Sequence, residues 1–168
     1  MNIDILANFL RWLHILAAVA LVGGAIFQRI ALIPALSTLP EDQRNAYREA
    51  IRKRWAPVVW MSIVSLLISG TVGIVLIVRQ FSPPAARLPS FYHMLFGIKF
   101  LLAMVVFFLA SVLAGRSQKT KSFRDAAPRW LTAFLLLATL VICLGGVLRS
   151  THLGPNAPTP GLTAPSDS

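Results

Sequence analysis

The stretch "FYHMLFGIKFLLAMVVFFLASVL", Phe91–Leu113, decides the fold. Apart from His93 and Lys99 it is an almost unbroken apolar run without an acidic residue. From His93 onward it has the roughly 20 residues that a helix needs to cross about 30 Å of hydrocarbon. A helix is required because lipid offers no partners to free backbone groups. An ionisable side chain inside such a run is costly, which marks His93 and Lys99 as pointers to a functional site.

Three further runs of similar kind flank it: Trp12–Ile33, Pro57–Val78 and Trp130–Leu148. The whole chain of 168 residues is 56% hydrophobic and 13% charged, with a mean hydropathy of +0.69. A soluble domain of this length is less apolar. The reading is an all-α polytopic membrane protein, an antiparallel bundle of four transmembrane helices over residues 1–153. A cleaved signal peptide is the competing reading of the first run. Only Asp4 and Arg11 precede it as charges, no A-x-A site follows, and the run is too long. The tail "GPNAPTPGLTAPSDS", residues 154–168, is rich in Pro, Gly, Ser and Thr and is expected to be disordered.

A net charge of +10 in a soluble chain points to nucleic acid, but here the distribution points to topology. Arg44, Arg48, Arg52, Lys53 and Arg54 lie between the first two runs. Arg116, Lys119, Lys121, Arg124 and Arg129 lie between the last two. The middle connection holds only Arg79 and Arg87. Basic loops stay in the cytoplasm, so both termini are expected in the periplasm of a bacterial inner membrane. These loops also suit anionic headgroups. No nucleic-acid partner is expected. Residues 40–54 open with Pro40, Glu41 and Asp42, a helix start. Ala46, Tyr47, Ala50 and Ile51 then make a narrow apolar stripe. The expectation is a short amphipathic helix on the cytoplasmic surface, with a solvated connector as the alternative.

Small residues form two stripes: Ser62, Ser65, Ser69 and Gly73, and Thr132, Thr139, Cys143 and Gly146. Both are expected to face neighbouring helices, because small side chains let membrane helices approach. Cys143, the single cysteine, reads as a packing residue. "RWAP" before the second run and "APRW" at the fourth form a weak internal echo.

The polar residues fall at one end. Trp12 and Tyr92 suit the outer interfacial belt. His14 and His93 lie just inside them, on helices running the same way, and His152 follows the fourth run on the same side. Three histidines at one face point to metal or cofactor binding, since imidazole is the commonest metal ligand. Lys99 lies about 9 Å deeper than His93 and about 120° around the helix, on the face of Tyr92. Gln28 shares the His14 face nearer the cytoplasm, and Arg29 marks the inner interface. No nucleophilic triad, phosphate loop or paired carboxylate is present, and none of the six acidic residues lies inside a span. A hydrolase or a carboxylate proton pump does not follow.

"LHILAAVALVGGAIF", Leu13–Phe27, resembles the first helix of the copper-resistance D (CopD) membrane domain, with a histidine (His14) followed by Gly-Gly (Gly23 and Gly24). "ALIPALSTLPEDQRNAYREAIRKRW" resembles that family's Leu-Pro region and basic loop. "MSIVSLLISGTVGIVLI", with Gly70, resembles its next helix. A tyrosine with a lysine seven residues on matches Tyr92 and Lys99. The chain departs at Leu21, where an aromatic is common, and lacks the extra helices of full-length members. The chain is also similar to the HemJ-type protoporphyrinogen oxidases, four-helix membrane proteins that bind haem b. There a first-helix histidine precedes a glycine by ten residues, as His14 precedes Gly24. Their third-helix histidine and lysine are two residues apart, whereas His93 and Lys99 are six apart.

The first resemblance implies copper handled at the periplasmic face by His14, His93 and His152, with Tyr92, Lys99 and Gln28 in support and a periplasmic copper carrier as partner. The second implies haem b held between His14 and His93, and an oxidoreductase. A cofactor-free assembly subunit is the third possibility. Beyond the lipid bilayer, homo-oligomerisation is left open.

Overall fold

The computed structural model describes residues 3–80, 90–115, 123 and 126–153. Helix α1 spans Ile3–Phe27 and passes through a π turn, Gln28–Leu32, into α2, Ile33–Ser37. Helix α3 spans Glu41–Gln80, α4 Ser90–Ala114 and α5 Ala127–Leu153. Four of these rods are long and apolar enough to cross a membrane. The fold is the expected all-α bundle of four antiparallel spans, and the chain is a multi-pass membrane protein.

The π turn has a local cause. Pro34 cannot donate a backbone bond, and its ring crowds the carbonyl four residues back. The chain widens just upstream, where the Ile33 N–H donates to the Gln28 carbonyl, five residues away. The first rod then ends at Thr38, whose hydroxyl donates to the Ala35 carbonyl at 2.8 Å. After Pro40, with Glu41 and Asp42 in its first turn, α3 begins as the sequence predicts.

The amphipathic segment does not form a separate helix. Residues 41–54 run without a break into the second span, through Pro57, as one helix of 40 residues. At 1.5 Å per residue this rod is about 60 Å long, twice the hydrocarbon thickness. Its basic first part therefore projects beyond the span. Arg52 ties that projection to the next hairpin. Its Nη1 donates to the Gly115 carbonyl at 2.8 Å, just past the end of α4. Its Nε donates to Glu49 Oε2 at 3.0 Å. A guanidinium here satisfies a carbonyl left over at a helix C-terminus and complements the helix dipole.

α1 packs along α3, and α4 along α5. Lesser contacts of α3 with α4 and of α1 with α5 close the bundle, so α1 and α4 lie across its diagonal. Inward stripes at helical spacing meet in the middle: Ala17, Leu21 and Ala25; Val59, Ile63 and Leu66; Val106, Leu109, Ala110 and Ala114; Leu131, Phe134 and Ala138. Outside, Met61, Leu101 and Leu136 are about 70% exposed (71%, 68% and 69%). A water-soluble monomer does not display so many large apolar side chains around its circumference. This surface is suited to lipid.

The two small-residue stripes differ. Ser62 and Ser69 on α3 are buried as expected. On α5, Thr132, Thr139, Cys143 and Gly146 are exposed, so that stripe faces outward and Cys143 is not a packing residue. The buried face of α5 is built on Leu131, Phe134 and Ala138. Thr139 meets the cost of a lipid-facing hydroxyl locally, by donating to the Leu135 carbonyl four residues back, and Thr132 likewise donates to the Pro128 carbonyl. Small size is therefore no guide to which face of α5 turns inward.

The first Gly-Gly pair divides in the same way. At Gly24 an added Cβ would fall on the ring of Trp55, whereas Gly23 faces open space. Gly24 is the notch that seats the Trp55 indole of α3 on α1.

Candidate functional site

His14 sits three residues from the buried Ala17, on the same side of α1 as the core. Across from it on α3, Ser69 is 4% exposed. The His14 Nδ1 and Ser69 Oγ are 2.8 Å apart. Ser69 Oγ also lies 2.5 Å from the Ser65 carbonyl, one turn back. A serine has one proton to give. The carbonyl can only accept, so the shorter contact claims that proton. The hydroxyl then receives from the imidazole: His14 donates Nδ1–H and keeps its lone pair on Nε2. The ring edge lies against Gly70, where a Cβ would stand 3.6 Å from Cε1. A branched side chain at Gly70 would crowd the imidazole.

Lys99 comes from α4, across the diagonal. It acts electrostatically on His14. Its amine lies beside α5 at Gly145, where an added Cβ would stand 3.2 Å from Nζ. Gly145 leaves the space that the lysine occupies. All four helices thus meet at one level: α1 through His14, α3 through Ser69 and Gly70, α4 through Lys99, and α5 through Gly145.

The remaining expected residues are placed less closely. His93 and His152 are in helix, toward the same end of the bundle. Their side chains, and that of Tyr92, lie outside the described residues. Along the helix axis residue 93 is about 9 Å beyond residue 99, and residue 152 about 10 Å beyond residue 145. Helical side chains lean toward the N-terminus of their helix. The Lys99 side chain therefore leans toward the end that carries His93. Among the described residues no three His, Cys, Asp or Glu side chains gather as a metal-binding group. Gln28 opens the π turn and is half-buried. Arg29 donates its Nε to Thr132 Oγ1 at 3.1 Å, which joins α1 to α5 at the basic end.

Two partners were not singled out in the sequence. Ser69 belongs to a stripe of similar serines, and only the fold selects it for His14. Gly145 adjoins the stripe residue Gly146, yet it is Gly145 that faces the lysine.

An imidazole that donates from Nδ1 carries its lone pair on Nε2, a donor suited to a copper ion or a haem iron. The described side chains supply one such donor. No family model matches the chain, and no solved structure matches it. It is similar to an uncharacterized protein of Aquifex aeolicus (strain VF5), 24% identical over 139 residues, which cover 82% of this chain and 92% of that protein.

Proposed function

We propose that this chain is a bacterial inner-membrane protein, with both termini in the periplasm, that handles copper near the periplasmic face. His14 is the inner ligand through Nε2. His93 and His152 are the outer ligands, and a periplasmic copper carrier is the exchange partner. The observation that carries the reading is the order His14–Ser69–Ser65. It fixes the imidazole tautomer and leaves Nε2 as the donor, the arrangement expected where a second group holds a metal-binding histidine. The resemblance to copper-resistance D proteins names the metal. The placement of ten of the sixteen Lys and Arg in two alternate loops supports the orientation.

Haem b is the second reading, and Lys99 favours it. A bare cation at His14 is repelled by a nearby ammonium, whereas haem brings carboxylates that an ammonium can pair with. Copper and haem are separated by an optical spectrum and metal analysis of the purified protein, with His14→Ala and His93→Ala alongside. A Soret band lost in both variants supports haem. Copper at a fixed ratio to protein, lost in both, supports copper. Full retention of either group in both variants removes the shared site, and a parent protein that carries neither group leaves a cofactor-free assembly subunit. Reporter fusions at Ser168 and within residues 116–124 test the orientation. A cytoplasmic signal from Ser168 overturns it.

A further inference from the structure

At the basic end of the bundle, α1 and α5 leave a cleft of about 320 Å³ lined by Arg29, Pro128, Arg129 and Thr132. Two of these four are arginines and none is acidic. Arg29 is anchored through its Nε to Thr132. Its two terminal nitrogens, and the Arg129 guanidinium, have no partner among the described residues. Such a pair of forks matches the oxygens of a phosphate group. The π turn contributes directly, because Arg29 projects from it.

The surroundings choose the source of the phosphate. One turn into the membrane from the cleft, Ile26 on α1 and Leu136 on α5 are exposed. They continue the polar cleft as an apolar strip. A soluble phosphate has no use for that strip, whereas the acyl chains of a phospholipid do. We propose that Arg29 and Arg129 form a binding site for the headgroup phosphate of an anionic phospholipid, whose chains lie over Ile26 and Leu136. Basic clefts between transmembrane helices at this level suit such headgroups.

The site is tested on the full chain purified in a mild detergent and titrated with phosphatidylglycerol, phosphatidylcholine or inorganic phosphate. Native mass spectrometry counts the retained lipid. One phosphatidylglycerol per chain should survive, in clear preference to phosphatidylcholine. Arg29→Gln with Arg129→Gln should weaken it about thirtyfold. Lys53→Gln with Arg54→Gln, at the same end but outside the cleft, should leave it unchanged. Thr132→Val, at an exposed position, frees Arg29 from its anchor and should lower retention even if the double arginine variant fails to fold. Equal loss from the Lys53 and Arg54 variant overturns the site in favour of diffuse attraction. Displacement of the lipid by millimolar inorganic phosphate overturns the lipid as its source. Unchanged retention in Thr132→Val and in a folded arginine double variant overturns the site altogether.

Discussion

The bundle has two layers that are held together differently. Toward the basic end, Ala17–Ala25, Val59–Leu66, Val106–Ala114 and Leu131–Ala138 make a layer whose interior is almost entirely hydrocarbon. One turn or two toward the other end, His14, Ser69, Lys99 and the notches at Gly70 and Gly145 make a polar layer. In lipid, hydrophobicity does not draw helices together, because the tails are as apolar as leucine. The first layer therefore depends on fit, and the second on where each polar atom is pointed. The contrast teaches that stability and site geometry are assigned to different depths of the same four helices. Substitutions in the two layers should fail in different ways.

The largest effect on stability is expected at Phe134, 2% exposed and among the largest fully buried side chains. Phe134→Ala leaves a cavity among tightly packed helices and should cost about 3–5 kcal/mol. Thermal unfolding in detergent measures it. A loss below about 1 kcal/mol would mean that the apolar layer collapses around the gap, and that fit is not what holds it.

Ser69→Ala should invert that pattern. The bundle loses one inter-helix hydrogen bond, which in membranes averages about 0.6 kcal/mol. The His14 imidazole, however, loses the acceptor that fixes its tautomer and tilt. Metal or haem affinity should fall about 10–100-fold, the usual effect of removing a group that positions a ligand. Ser69→Thr keeps the hydroxyl and should recover part of the affinity. Equal affinity in Ser69→Ala and the parent would separate the His14–Ser69 bond from ligand binding.

Arg52→Gln lies outside both layers and should cost about 1.5–3 kcal/mol at most, the range for a hydrogen bond to a charged group. It removes the link between Arg52 and the Gly115 carbonyl at 2.8 Å. The loss should appear as proteolytic nicking near residue 115 at lower temperature, with cofactor content unchanged. Early loss of cofactor would couple the basic end to the polar layer.

Much of the first layer was legible in the sequence. Runs of about 20 apolar residues announce spans, and the buried positions on α1 recur every four residues. The inward face of α5 was not legible. Its small residues look like a packing seam, but Phe134 and Leu131 turn inward while Thr132 and Cys143 face out. In a helix apolar all round, composition hardly distinguishes lipid from neighbour. The continuity of α3 was missed for a related reason. A change from charged to apolar composition at Trp55 and Pro57 reads as a boundary, although proline near the middle of a long helix is tolerated where the rest of the helix is packed. In the second layer Lys99 announced itself by its cost inside an apolar run, and His14 by its place with two other histidines at one end of the bundle. Their partners did not, because serine and glycine are common in membrane helices and only the fold tells one from another.

Lys99→Met is expected to have the smallest effect on stability and to be the most informative about the site. The change keeps a long flexible chain and removes a charge from the membrane interior, where charges are costly. The sulfur and methyl group fit the space beside Gly145, where the amine now lies 3.2 Å from a would-be Cβ. Thermal stability should be unchanged or slightly raised. What the cofactor does then divides the two functional readings. A copper ion at His14 loses a repulsive neighbour, so its affinity should hold or rise. Haem b loses the partner of a carboxylate, so its content should fall. A fall in copper content, or haem that stays fully bound, would reverse the role assigned to the lysine. A large drop in stability would show that the polar layer also holds the bundle together, and the division between the layers would not stand.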